Sequence, residues 1–170
     1  PSIRDDIEGR ADLAEEVMRI YGYDHIVGTP MRGNVIRGKK LPERIKSDKL
    51  KSLLCSLGAD EITTYSFISS SALDTLKLSD DDERRNAIKL INPLGDEYSV
   101  LRTQLVTSML NVLSTNINRK ITDGRFFEIS KRFIPKSLPL TEQPDELPTL
   151  SVVIYGKDED FFTLKGIIED

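Results

Sequence analysis

With 170 residues, 38% apolar and 31% charged, the chain has the size of about one domain and enough apolar content for an ordinary core, which excludes a disordered segment. Its net charge of −4 excludes a surface that is basic throughout, the kind that grips nucleic acid over its whole area, although a local basic patch stays compatible. A single histidine, His25, and a single cysteine, Cys55, exclude a His-based triad, a multi-His metal site and an internal disulfide.

In chain order, the first informative stretch is residues 1–26, PSIRDDIEGRADLAEEVMRIYGYDHI. Asp12 stands before an apolar-periodic run and Glu15 follows three residues later, the order of an N-cap and its capping-box acid, so a helix is expected over 13–21. At about 100° per residue, Leu13, Val17, Ile20 and Tyr21 share a core face, whereas Asp12, Glu15 and Glu16 share another. Asp6 lies in the extended or turn segment before the helix and can fold back toward its N-terminus. Two readings of Asp6, Asp12, Glu15 and Glu16 stand side by side. Acids in a first helical turn cap N–H groups and offset the helix dipole. The same oxygens suit a hard divalent cation such as Mg²⁺, which takes one or two carboxylates and keeps its waters. His25 reads as part of a helix exit.

Residues 27–41, VGTPMRGNVIRGKKL, form a basic, glycine-containing linker through Arg32, Arg37, Lys39 and Lys40. Pro42 and Glu43 open a second helix with Leu50, Leu53, Leu54 and Leu57 on one face and Gly58 at its end; Cys55, among these leucines, is expected to be a buried thiol. Residues 61–68 are β-branched and aromatic and read as one strand, followed by a short helix capped by 69–71 and running to Leu76. The acid run 80–83 reads as a solvated turn, because consecutive like charges repel, and 87–91 as a short strand.

A helix is expected over 104–118, burying Leu105, Met109, Val112 and Leu113. Along 126–134, Phe127, Ile129 and Phe133 point one way while Glu128, Ser130 and Arg132 point the other. Residues 136–148 form a proline-rich loop. The nearly continuous apolar run 150–155 predicts a central strand covered on both faces, and a last helix begins at Phe161. No glycine-rich phosphate loop, signal peptide or membrane span is present in the pattern, so a cytosolic protein that binds no membrane is expected. Pro1 has no methionine before it and the last residues sit in a growing helix, which predicts a piece of a longer protein.

PSIRxDIxxxxDLxEEVxRIYGYDxI at 1–26, NPLxxExxxLRTxL at 92–105 and DGRFFEISKRF at 123–133, together with FxxLKGxxE at 161–169, resemble the β subunit of bacterial-type phenylalanyl-tRNA synthetase. The strings are far apart and agree in order. The resemblance implies an α+β fold in which a mostly antiparallel, class II synthetase-like sheet is flanked by helices and preceded by the C-terminal tail of another domain. It divides the chain into 1–27, the end of a small domain with an acidic motif; 28–41, a linker; and 42–170, a catalytically silent synthetase-like core.

In that family four acids, matching Asp6, Asp12, Glu15 and Glu16, bind Mg²⁺ at the contact with the α subunit. The α subunit forms Phe-tRNA through an adenylate, using ATP, within an α2β2 heterotetramer that takes tRNA(Phe). The resemblance therefore implies a cytoplasmic ligase subunit with no catalytic and no ATP-binding residue of its own. Class II enzymes place an arginine, which clamps the ATP α-phosphate, two residues before a strand glutamate. Here Phe126 holds that position before Glu128, with Arg125 displaced to the opposite face. Two other classes of function set against this reading are an acidic protein-interaction module and a metal-dependent phosphotransferase or hydrolase. The second wants a general base, and neither His nor Lys stands near the acids.

Overall fold

A computed structural model describes residues 4–169, which fall into two compact units divided between Lys39 and Lys40. In the first, helix α1 spans Arg10–Tyr21. Its N-cap is Gly9, not Asp12 as expected. Asp12 instead sits in the first turn and turns its Oδ2 back to accept from the backbone N–H groups of Gly9 (2.7 Å) and Glu8 (3.0 Å). A carboxylate at the third helical position reaches back to the backbone N–H of the cap residue, the reciprocal half of a capping box, while the glycine cap has no side chain to accept from the first-turn N–H groups. Gly22 ends the helix at φ 108°, its N–H donating to Met18 O, and a single 3₁₀ turn, Tyr23–His25, follows. The expected core face of α1 is exposed, from Leu13 at 53% to Ile20 at 78%. One helix and one turn offer no second layer to bury it against. Residues 26–41 carry no regular element.

In the second unit, helix α2 (Pro42–Ser56) begins with Pro42 in its first turn, where the missing N–H costs nothing. Leu54 is buried, with Leu50 and Leu57 partly so, against Ala59, Phe127 and Ile167. Cys55, expected in this core, is exposed. It lies about 100° around the helix from Leu54, and the leucine face is too narrow to include it or Leu53, which is 38% exposed.

The expected strand 61–68 is two: β1 (Asp60–Glu61) and β2 (Phe67–Ile68), each in a different sheet. After β2 come helix α3 (Ala72–Thr75), a 3₁₀ turn (Glu83–Arg85), a second (Asp96–Tyr98) and β3 (Val100–Leu101), antiparallel to β2. The expected strand 87–91 reduces to one bridge, Lys89 to Val100, because β3 offers only two residues to pair with. Ile68, Leu73 and Val100 form the second small core.

Helix α4 spans Val106–Asn118, two residues shorter at its start than expected, since the Gln104 side chain accepts from the N–H groups of Val106 and Thr107 and serves as the cap. Strands β4 (Gly124–Ile134) and β5 (Asp145–Tyr155) then pair antiparallel along their whole lengths, and β1 joins the other edge of β4 in parallel, giving the order β1-β4-β5. The central strand is therefore β4. β5, expected at the centre, is at the edge among the described residues, which also accommodates Pro148 inside it. Helix α5 (Phe161–Glu169) lays Ile167 into the first core. The fold is α+β as expected, in two small sheets. No helix is long and apolar enough to cross a membrane, among the described residues.

Gly156, after β5, holds φ at 138°, and a Cβ there would stand 2.8 Å from Asp123 Cβ. Gly156→Ala is expected to destabilise the chain by about 1–3 kcal/mol, read by urea unfolding against a Gly166→Ala control. A Cβ at Gly166 meets nothing within 4 Å.

Candidate functional site

Of the four acids singled out in the sequence, the structure brings two together. The Arg4 guanidinium forms a fork on Asp6 (Nε to Oδ1 and Nη2 to Oδ2, both 2.7 Å) and reaches Glu16 Oε1 at 2.9 Å. Arg19 holds the other side of Glu16, at 2.7 Å from Oε2. Asp12 is turned to the N–H groups of Gly9 and Glu8, and Glu15 is exposed. In this arrangement no three acids stand close enough to share a metal ion, among the described residues. The donor set nevertheless fits a hard divalent cation by chemistry, since all four side chains offer carboxylate oxygens, and Asp6 and Glu16 already face one positive charge. Arg4 was the partner the sequence reading missed; it stands two residues before Asp6, and the turn at Asp5 and Asp6 brings the two side chains together.

These contacts set the charges. The Arg4 hydrogen bonds hold the Asp6 carboxyl down at about 2, and hydrogen bonds from Arg19 and then Arg4 lower that of Glu16. The same pairing raises Arg4 and Arg19 further above the already high arginine range.

In the second unit, the sequence-predicted position on β4 is filled by an apolar ring: Phe126 packs on Tyr155, ring centroids 6.0 Å apart. Arg125 lies on the opposite face, as expected, where it ties Glu159 (Nε to Oε1, 2.7 Å) to the Leu57 carbonyl (3.0 Å). On the Phe126 face the structure shows a cluster that sequence reasoning did not pick out. Arg102 is fully buried and Glu128 is 1% exposed. Arg102 donates from Nη2 to Glu128 Oε1 (3.2 Å) and to Ser130 Oγ, from Nη1 to Thr64 Oγ1 (2.8 Å) and the Tyr65 carbonyl (3.4 Å), and from Nε to the Lys131 carbonyl (3.0 Å). Thr64 completes the set, donating Oγ1–H to Glu128 Oε2 at 2.7 Å and N–H to Oε1 at 3.2 Å. Every arginine nitrogen is thus engaged inside the protein. An arginine set in the apolar run VLRTQLV, with a glutamate in FFEIS, was the available signal: charges at positions patterned as core need a partner.

Two further groups behave as the sequence implied. Asp82, in the acid run, caps the Glu83–Arg85 turn and pairs with Arg84, whose hydrogen bonds hold its carboxyl at about 2. The basic linker residues Arg32, Arg37 and Lys39 are exposed, whereas Lys40 pairs with Asp48 at 2.6 Å.

The mixed sheet with its helices is an aminoacyl-tRNA synthetase fold. It is similar to that of PylSc, a pyrrolysyl-tRNA synthetase from Desulfitobacterium hafniense, with a TM-score of 0.59 and 15% identity over 94% of this chain and 49% of that one. Another pyrrolysyl-tRNA synthetase structure from the same organism gives a TM-score of 0.54 at 16% identity, over 85% of this chain and 44% of that one. Residues 26–170 match the family model described as phenylalanyl tRNA synthetase beta chain CLM domain, and residues 1–23 match the tRNA synthetase B5 domain. The chain is 37% identical over its full length to the phenylalanine–tRNA ligase beta subunit of Clostridium tetani and 38% identical to that of Clostridium acetobutylicum, and spans 21% of each. It belongs to the phenylalanine–tRNA ligase beta-subunit family.

Two outcomes follow from the geometry. Arg102→Met leaves Glu128 buried without its cation and is expected to destabilise the fold by about 3–5 kcal/mol, with a substantial part recovered on adding Glu128→Gln, both read by chemical denaturation. Asp6, whose folded value lies below its ordinary 3.8, lends stability that is present above about pH 4 and lost as the pH falls toward 2. A carboxyl-detected NMR titration should place its midpoint near 2 and, in Arg4→Ala, back near 3.8.

Proposed function

We propose that this chain is part of the non-catalytic β subunit of phenylalanine–tRNA ligase and works as a scaffold for the α subunit. The α subunit forms Phe-tRNA from phenylalanine, ATP and tRNA(Phe) in the cytoplasm, within an α2β2 assembly. The observation that carries the silent role is the Phe126 face of β4. In a class II synthetase this face binds the nucleotide, with an arginine two residues before the glutamate. Here Phe126 stacks on Tyr155, and the nearby Arg102 spends its donors on Glu128, Ser130, Thr64 and backbone carbonyls. A guanidinium with its N–H groups already engaged in the interior has nothing left to offer a phosphate. ATP binding is therefore left to the rest of the assembly.

Residues 1–27 supply the contact, 28–41 the linker, and 42–170 the core. Mg²⁺ at that contact is held by Asp6, Asp12, Glu15 and Glu16, with the site shared with the α subunit, and it supplies positive charge between carboxylates that otherwise repel. What this chain's own residues do is bind and orient. Asp6 and Glu16 face the Arg4 guanidinium, and Asp12 gives one carboxylate oxygen to the helix start; with Mg²⁺ bound, these carboxylates would be the ones to hold it. The support for the ion is the family membership together with this paired geometry. As Asp6 lies outside the helix, the dipole gives no account of it.

Calorimetric titration with Mg²⁺ is expected to give weak binding to the isolated chain and tight binding in the presence of the α subunit. Asp6→Ala should lower both Mg²⁺ affinity and α association by tenfold or more. Unchanged values for both would leave the acids as helix caps only. ATP–pyrophosphate exchange by this chain alone should stay at background.

A further inference from the structure

Residues 26–41 carry four positive side chains, Arg32, Arg37, Lys39 and Lys40, and no negative one, in a chain whose net charge is −4. The segment holds no regular element, and every residue in it is exposed. Lys40 rests on Asp48 at 2.6 Å, whereas Arg32, Arg37 and Lys39 have no carboxylate partner among the described residues. On α1 and in the Glu83–Arg85 turn, arginines sit on carboxylates two to three residues away. Here the nearest acids in the chain, Asp24 and Glu43, lie outside the segment, so its positive charge is left uncompensated.

A second feature falls on the same residues. Both arginines are followed directly by glycine, as Arg32-Gly33 and Arg37-Gly38. Neither glycine holds a positive φ, and a Cβ on either would meet nothing within 4 Å. The local geometry therefore gives no reason for glycine at these positions. Beside an arginine, a glycine lets the backbone come close to a ligand and leaves the guanidinium free to turn toward it. Arginine-glycine segments that follow a nucleic acid strand have this composition. Attraction to a row of phosphates needs neither a pocket nor one fixed geometry. An acidic protein surface is a poorer match, because fixing a glycine-containing segment in a single pose costs more backbone entropy. No aromatic residue in 26–41 offers a base a ring to stack on, so the contact is with phosphates and carries no base identity.

We propose that residues 26–41 bind the phosphate backbone of RNA, without regard to its sequence, through Arg32, Arg37 and Lys39. That the polyanion is RNA rests on the ligase reading above. The test is the salt dependence of RNA binding by the full-length protein, read by fluorescence anisotropy with two labelled probes, a tRNA and a uridine homopolymer. Arg32→Gln/Arg37→Gln/Lys39→Gln is expected to weaken binding of both by about tenfold or more at about 50 mM salt. The slope of log K against log[salt] should become shallower by about 2 to 3, the share of three phosphate contacts. Arg32→Lys/Arg37→Lys keeps the charge and should keep the slope, and Val35→Ser/Ile36→Ser should leave both quantities unchanged. All these positions are exposed, and unchanged melting temperatures verify the fold.

An unchanged slope in the glutamine variant, a loss confined to one probe, an equal loss in the serine variant, or no binding of either probe would overturn the proposal. So would a glutamine variant that loses the α subunit while keeping RNA, which marks an acidic protein surface as the partner. ATP–pyrophosphate exchange after reconstitution with the α subunit precedes transfer to RNA and reports on the ligase reading separately. Exchange that is intact with an unaltered salt slope sinks the phosphate contact alone. An absent exchange with the expected change in slope sinks the ligase reading and leaves the phosphate contact standing.

Discussion

The second unit depends on one buried ion pair, Arg102 with Glu128. An arginine and a glutamate taken out of water cost several kcal/mol each, and only complete hydrogen bonding makes their burial tolerable. The pair meets that demand by drawing in segments that are remote in sequence. Residues 64–66, β4 and the chain just after β3 all end on it. β1 covers only the start of one edge of β4, at Phe126 and Phe127. Beyond it, the same edge is met first by Ile62 N–H on the Phe127 carbonyl, then by Arg102, whose side chain bonds the Lys131 carbonyl and whose own carbonyl accepts from Phe133 N–H. The ion pair thus replaces a missing stretch of strand. This is also why residues 61–68 do not run as one strand: the chain leaves the ladder to hydrogen-bond the two charged side chains.

The same cluster bears on function. A nucleotide-binding face needs donors that are free until the ligand arrives, because preorganised charge is useful only while it is unspent. On β4 the donors are spent on the fold and the neighbouring position is an aromatic ring. The polar donors of this face are committed to holding the fold. The first unit has the opposite character. Its ionic contacts are solvated, so the Arg4 fork on Asp6 and Glu16 contributes little to stability.

Much of this was legible in the amino-acid order. Local rules placed α1, α2, α3, α4 and α5 to within a few residues, because caps, Pro42 at a helix start and leucine spacing act within one turn or two. That Phe126 and Arg125 lie on opposite faces of β4 was visible as well. The failures share a cause. Cys55 was set in the core by its leucine neighbours, although how wide a helix face is buried depends on what packs against it. The apolar run in β5 was read as central, yet an edge strand packed on one side carries a similar run. Asp12 was taken as the cap because a glycine cap has no side chain to announce it.

What the sequence by itself determined is therefore the family, the α+β class and the residue types available at each site. Short-range periodicity and a set of ordered strings suffice for these. Only the tertiary structure decided which strand is central, that 61–68 divides between two sheets, and that Arg102 meets Glu128 across 26 residues of chain. It also decided that two of the four acids face Arg4 while a third turns to the helix start. The physical reason is that a charge's partner is chosen by burial and by which backbone groups are left unpaired, quantities that exist only once distant segments have been brought together.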